Sequence, residues 1–254
     1  MDHIINNCKT NEPQFIADLN CSHALPNPVR AGLAIKWAIK NGIGLKEADL
    51  SNVVLFNDDL SNLDLTDTKI HHSDFSYCNL SLANLSHADV FDTNLNGVKF
   101  LGAKFSYAKF NEVNFEVAWL NGVDFKSVIL ELINFSRANL SHASLTGRDL
   151  KGVSFRGANL FAARLNACDA TNANFHSAML DGARLMNTDF TGADLSYASL
   201  CNANVTGVKF DYAEMLGSNM DRCKTEGASF FGAGTASDKV DRLGRLSSKL
   251  TANG

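Results

Sequence analysis

The sequence predicts an all-β solenoid, a chain wound into square coils of about twenty residues, and three observations predict it. Between residues 45 and 233 every fifth residue is large and apolar. Leu45, Leu50, Leu55, Leu60, Leu65, Ile70 and Phe75 open a series of 38 positions, 31 of them Leu or Phe, and no insertion or deletion shifts the phase. The residue two places earlier in each unit is usually small, as at Ala83, Ala88, Ala103, Ala108, Ala138, Ala158 and Ala178. All twelve glycines of the stretch, Gly97 and Gly232 among them, stand two residues after a Leu/Phe position.

Neither common period accommodates this pattern. Five residues of α-helix rotate about 500°, so the apolar positions would drift by about 140° per unit and cover the whole helix surface. In a straight strand an odd spacing sends successive units to opposite faces. A short extended piece followed by a right-angle bend satisfies every unit. The small residue and the Leu/Phe are two apart and both point inward. The next two residues turn the chain, which is where Gly is favoured and where Ser, Thr, Asn and Asp can bond back to the local backbone. Phe pairs at inward positions recur six times at a lag of 20 residues, as in Phe115, Phe135, Phe155 and Phe175, but three times at lags of 15 and of 25. Four sides per coil is therefore the expected closure. About nine and a half coils at ~4.8 Å each predict a rod of roughly 45 Å.

Units such as ANLSH (83–87), YAKFN (107–111), GANLF (157–161) and GADLS (192–196) resemble the pentapeptide repeat family, whose pattern is A(D/N)LXX. The resemblance covers about three quarters of the chain. It implies a right-handed quadrilateral β-helix, but no single activity, because fold and function separate readily. Some members of that family bind DNA gyrase and protect it from quinolones with a rod that resembles duplex DNA. The repeat-interrupting loops of those members are lacking here.

In chain order, residues 1–44 form an N-terminal segment. A short helix is expected near Gln14–Leu19 and a firmer one at about 29–40, with Asn27 as N-cap, Pro28 at the first helical position and Gly42 ending it. Its apolar residues Val29, Leu33, Ile35, Trp37 and Ile39 exceed one narrow stripe, which suits a cap over the first coil. The β-helix occupies 45–234. Asp58 and Leu63 sit at usually small positions, so the opening coils are expected to be wider or imperfectly regular. Irregularities return at Ile133, Arg148, Ala170 and Thr225. Arg148 takes an inward position, where its guanidinium needs partners. The expectation is a coil that bulges so that Arg148 reaches a carbonyl or Asp149, with a functional pocket as the lesser reading. Residues 235–254 are read as an amphipathic helix or tail. Val240, Leu243, Leu246 and Leu250 form a stripe that could cap the last coil or dimerise, Ser237 could cap the helix, and Gly244 weakens it.

The net charge of −4 conceals a gradient. Residues 45–95 carry nine acids against two bases, while residues 96–234 carry thirteen of each. Asp58, Asp59, Asp64, Asp67 and Asp74 are the expected acidic patch. No apolar run approaches membrane-spanning length and no basic-then-apolar leader is visible, so a cytoplasmic protein is expected. Secretion without a signal peptide stays compatible. The six cysteines form no C-x-x-C pair. Cys78, Cys168 and Cys223 occupy the small inward position, which fits a reduced compartment.

No nucleophile, phosphate-loop or zinc motif is present, so no enzyme, cofactor or metal is expected. His71 and His72 are adjacent in a turn and read as a solvated pair, with a weak metal site as the alternative. Exposed apolar residues are more informative. The side centred on Leu80, Phe100, Leu120, Leu140, Leu160 and Leu180 carries Leu82, Leu101, Trp119, Phe161 and Met179 at outward positions. Ile129 and Leu132 are expected on an adjoining side, with Val117 near the corner by Trp119. Such a patch marks an interface, and Trp is a common anchor. The leading expectation is a non-enzymatic protein–protein interaction module whose partner is another protein or a second copy in a homodimer, with no membrane association and no direct nucleic-acid binding. One alternative is DNA mimicry toward gyrase or another topoisomerase. Another is a secreted effector or phage accessory protein with residues 1–44 as a delivery or docking segment.

Overall fold

The computed structural model describes residues 2–19, 21 and 24–234. The stripe at Val240, Leu243, Leu246 and Leu250, and the C-terminal helix built on it, lie outside the described residues. The chain divides into two compact units, Met1–Asn134 and Phe135–Gly254.

The first unit opens with a hairpin. Strands β1 (Asp2–Asn6) and β2 (Pro13–Asp18) pair antiparallel. The turn is built on asparagines: Asn7 Oδ1 accepts the backbone N–H groups of Lys9 and Thr10, and Asn11 supplies a φ of 60°. This corrects the short helix expected near Gln14–Leu19. Phe15 and Ala17 are buried while Ile16 and Asp18 are exposed, an alternation of period two. The pairing with residues 2–6 decides the conformation, and no local signal in 14–19 carries that information.

Helix α1 (Asn27–Lys40) follows. It starts earlier than expected and Asn27 is not its N-cap. Pro26 takes that place without a side-chain bond, its carbonyl accepting from Val29 and Arg30 N–H, each at 3.1 Å. The C-terminus closes as expected around Gly42. Gly42 N–H donates to Ile39 O at 3.1 Å and Ile43 N–H to Ala38 O at 2.9 Å, the paired bonds of a Schellman end with Gly42 at φ 69°. The helix buries Ala31, Gly32, Ala34, Ile35 and Ala38. It lies directly on the first coil, where Pro28 O accepts from Val54 N–H at 3.1 Å and Gly32 faces the Val54 carbonyl with no room for a Cβ.

From Asp49 onward the unit is a stack of four parallel ladders with a twenty-residue step. They run 49-69-89-109-129, 54-74-94-114-134, 59-79-99-119 and 64-84-104. The first contains the three-residue strands β3 (Lys69–His71), β4 (Asp89–Phe91), β5 (Lys109–Asn111) and β6 (Ile129–Glu131). The register holds from the opening coil, so the coil around Asp58 and Leu63 is neither wider nor out of step. The second unit repeats the construction, with ladders 139-159-179-199-219, 144-164-184-204-224, 149-169-189-209-229 and 154-174-194-214-234. Arg148 does not bulge its coil. Asp149 still pairs with Asp169, and Arg148 O accepts from Asp169 N–H at 3.1 Å. The residue is half-buried, and the backbone keeps its register.

Most corners are turns closed by a bond such as Ala83 N–H to Leu80 O at 3.1 Å, with the third residue at positive φ. That conformation holds at all twelve repeat glycines and at residues as unlike as Asn52, His87, Leu82 and Val117. The Asp or Asn before the Leu/Phe has its own purpose, since its Oδ1 accepts the N–H two residues on. Asp59 to Ser61, Asn84 to Ser86, Asn159 to Phe161 and Asp194 to Ser196 are examples. The motif A(D/N)LXX is thus a small inward residue, a turn-closing side chain, a core residue and two corner residues. In the interior, Phe residues one coil apart stack face to face in the second unit. Phe155 and Phe175 have ring centroids at 4.6 Å, and Phe210 and Phe230 at 4.9 Å. Neighbours within a coil meet edge to face, as do Phe100 and Phe105 at 5.0 Å.

Candidate functional site

In the first unit the ladder Asp59–Asn79–Lys99–Trp119 forms one outward face. Trp119 is 54% exposed at the end of it, because it replaces the Asp or Asn that usually closes the turn. The corner that follows carries exposed Leu82 and Leu101, and the corner that precedes it carries exposed Phe56 and Tyr77, whose rings meet edge to face at 5.6 Å. Phe56 and Tyr77 are additions to the expected patch. Their phase in the five-residue unit, one and two places after an inward residue, was signal enough to find them. Leu82 and Tyr77 are anchored as well as exposed: each side chain lies over the glycine of the next coil, Gly102 and Gly97 respectively.

Ile129 and Leu132 are exposed too, Leu132 at 75%, but not on an adjoining face. Ile129 ends the ladder Asp49–Lys69–Asp89–Lys109–Ile129, which is separated from the Trp119 ladder by one ladder in either direction around the coil. Ten residues are two right-angle turns, so these side chains occupy the opposite face. Phe161 and Met179 belong to the second unit, both exposed, with Phe161 edge-on to His142 at 5.7 Å between centroids.

The expected acidic patch is dispersed. Asp74, Asp59 and Asp64 stand on three different ladders, and each accepts the N–H of the residue two places on. Asp58 pairs with Lys36 of α1 at 2.8 Å and Asp67 with Lys9 at 3.2 Å. Hydrogen bonds from Ser61 hold the Asp59 carboxyl below its ordinary pKa, and those from Thr66 do the same for Asp64. His71 and His72 do not converge. His72 Nδ1 lies 2.9 Å from Asp92 and His71 Nε2 lies 3.3 Å from Asp89, with Phe91 against both rings. A groove of about 420 Å³ beside His72 is lined by Pro28, Val54, Asp92, Glu112 and Asn114. No group of three His, Cys, Asp or Glu able to hold a metal occurs among the described residues. Burial pushes the thiols of Cys78, Cys168 and Cys223 up to about 11, so at neutral pH they are packing groups rather than nucleophiles.

The sequence profile of pentapeptide repeats matches in eight copies, over residues 48–86, 78–116, 118–157, 154–192 and 188–224. The chain belongs to the pentapeptide repeat family. Several solved structures are similar to it. HetL, a pentapeptide repeat protein involved in heterocyst differentiation regulation from the cyanobacterium Nostoc sp. strain PCC 7120, is 24% identical. That match covers 80% of this chain and 96% of HetL, with a TM-score of 0.41. A trypsin-treated form of QnrB1, a plasmid-mediated fluoroquinolone resistance protein, is 18% identical over 76% of this chain and 95% of its own, with a TM-score of 0.34. A pentapeptide repeat protein of the Arabidopsis thaliana thylakoid lumen is 31% identical over 40% of this chain and 77% of its own, with a TM-score of 0.25. No curated protein is significantly similar. Among the described residues no helix is long and apolar enough to cross a membrane.

Proposed function

We propose that this pentapeptide repeat protein is a non-enzymatic interaction module and that the Trp119 face of the first unit contacts a protein partner. The observation that carries the reading is the exposed Trp119 at the end of a polar ladder, flanked on both corners by exposed Leu82, Leu101, Phe56 and Tyr77. Exposed Trp and Tyr are enriched at binding hot spots, and aromatic groups at the cores of interfaces. The turn-closing position needs only an oxygen acceptor, so a Trp there contributes nothing to its own corner.

The test is a pull-down from the native host with the wild type and with Trp119→Ala/Leu101→Ser. A partner retained by the first and lost by the second supports the reading, and identical recovery by both defeats it. Light scattering on the same pair decides whether the partner is a second copy.

DNA mimicry toward gyrase, the activity area suggested by QnrB1's description as a fluoroquinolone resistance protein, draws on the acid excess of residues 45–95. Against it, the ladder acids are spread over all four ladders, and Glu47, Asp49, Asp58 and Asp67 are paired with lysines. A supercoiling assay with and without quinolone separates the two readings.

A further inference from the structure

The second unit carries a column of like charge. The ladder Ser144–Arg164–Arg184–Asn204–Lys224 places Arg164 and Arg184 directly above one another, both exposed, about one coil rise of ~4.8 Å apart. Neither guanidinium has a carboxylate within ion-pair distance among the described residues. The neighbouring ladder of the same unit shows what the chain does with stacked like charge elsewhere. There Asp149, Asp169 and Asp189 follow one another, and each is paired: Lys151 bridges Asp149 and Asp169 at 3.3 and 2.9 Å, and Lys209 holds Asp189 at 3.0 Å. The acidic column is neutralised from within the molecule, and the arginine column is not.

The borders of the arginine column are also distinctive. Exposed Phe161 stands on the corner before Arg164 and exposed Met186 on the corner after Arg184. Asp181, the acidic residue on the corner before Arg184, has its Oδ1 engaged elsewhere, accepting from Ser199 Oγ and from Cys201 N–H at 2.8 Å. Two arginines without a carboxylate partner, bordered by exposed Phe and Met, form a surface that recognises a carboxylate pair beside apolar groups.

We infer that this face binds an acidic amphipathic helix of a partner protein, with Arg164 and Arg184 each taking one carboxylate. The inference rests on the interaction-module reading and adds a second surface with a defined ligand chemistry. Glu or Asp side chains three or four residues apart on a helix project about 5–6 Å from one another, close to the arginine spacing. Alternate residues of a strand are about 6.6 Å apart, a poorer match. Phe161 and Met186 then receive the apolar flanks of the helix. Asp181, Asp221 and Glu226 at the corners disfavour a broad polyanion such as duplex nucleic acid, which presents phosphate continuously.

The test is selection of a displayed library of twenty-residue helical peptides on the full-length chain, followed by affinity measurement of the winners. Each winner is measured against the wild type, Arg164→Glu/Arg184→Glu, Arg164→Gln/Arg184→Gln and Trp119→Ala. Circular dichroism checks each variant, and the Gln pair decides the result if the Glu pair does not fold. The expected winners carry acidic pairs at a spacing of three or four. They lose at least about thirtyfold in affinity on the Glu pair, weaken with salt and are unaffected by Trp119→Ala. Winners without acidic pairs, winners indifferent to both arginine substitutions, or no winner at all would overturn the inference. So would a 20-base-pair duplex that binds through the same arginines more tightly than any peptide. Winners that depend on Trp119 instead would sink this inference while supporting the interaction-module reading.

Discussion

Single residues in this chain are set by their place in a five-residue unit, and the consequences can be measured one position at a time. Gly97 and Gly122 both sit at positive φ, 66° and 73°. A Cβ on Gly122 meets nothing, whereas one on Gly97 would lie 2.6 Å from the Tyr77 ring. Gly122→Ala should therefore cost about 1 kcal/mol, the backbone term alone. Gly97→Ala should cost more by up to about 1 kcal/mol, because Tyr77 must leave its seat. Urea titration of the two variants checks the order, and equal losses would show that Tyr77 is not seated there. The turn-closing carboxylates give a pH dependence. Hydrogen bonds from Thr66 lower the Asp64 pKa on folding, so its contribution is complete above the unfolded value of about 3.9 and is lost as pH falls through the folded value. Chemical denaturation should show this loss as a decline below about pH 4, separate from the earlier fall below about pH 6.5 that burial of His3, which lowers its pKa on folding, produces. The inward, corner and ladder positions of almost every residue from 45 to 233 follow from counting in fives. The arginine column follows as readily, since Arg164 and Arg184 are twenty apart at the position before a Leu. What counting does not reveal is pairing: that Asp58 meets Lys36 depends on how α1 lies.

At the scale of elements, regularity and legibility part company. The repeat coils could be read because each side obeys the same local rule. Of the N-terminal elements, α1 could be read except for its start, which Pro26 sets, but the hairpin could not, because β2 is a strand only through its pairing with β1. The faces of the coil were legible only once turns were counted, which moved Ile129 and Leu132 across the molecule from Trp119. The seat of α1 is the most exacting contact in the first unit, since Gly32 faces a backbone carbonyl that has no rotamer to change. Gly32→Ala should lift the helix from Val54 and cost about 2 kcal/mol or more, against a propensity gain of about 1 kcal/mol. Hydrogen exchange at Val54 N–H, which now donates to Pro28 O, should accelerate in that variant while Phe155 N–H in the second unit stays protected. Unchanged exchange at Val54 would contradict the close seat described for α1.

For the molecule as a whole, the twenty-residue register is the governing quantity. Deleting residues 159–178 removes one full coil of the second unit, joins Ala158 to Met179 and returns every later residue to its own column. That variant should stay soluble with an unchanged dichroism spectrum per residue. Deleting 159–163 keeps inside and outside but shifts every later column by one face, so that Phe155 no longer stacks on Phe175, and its melting temperature should fall. A single-residue deletion turns the core outward and should be the most damaging of the three. The same register has a mechanical meaning. Within a unit, the backbone bonds leaving a coil go to the coil before it and the coil after it, as when Leu165 N–H donates to Arg184 O and Arg164 N–H to Ala143 O. A chain pulled from its end should therefore unzip turn by turn, in steps of about 70 Å of released thread, rather than yield in one break.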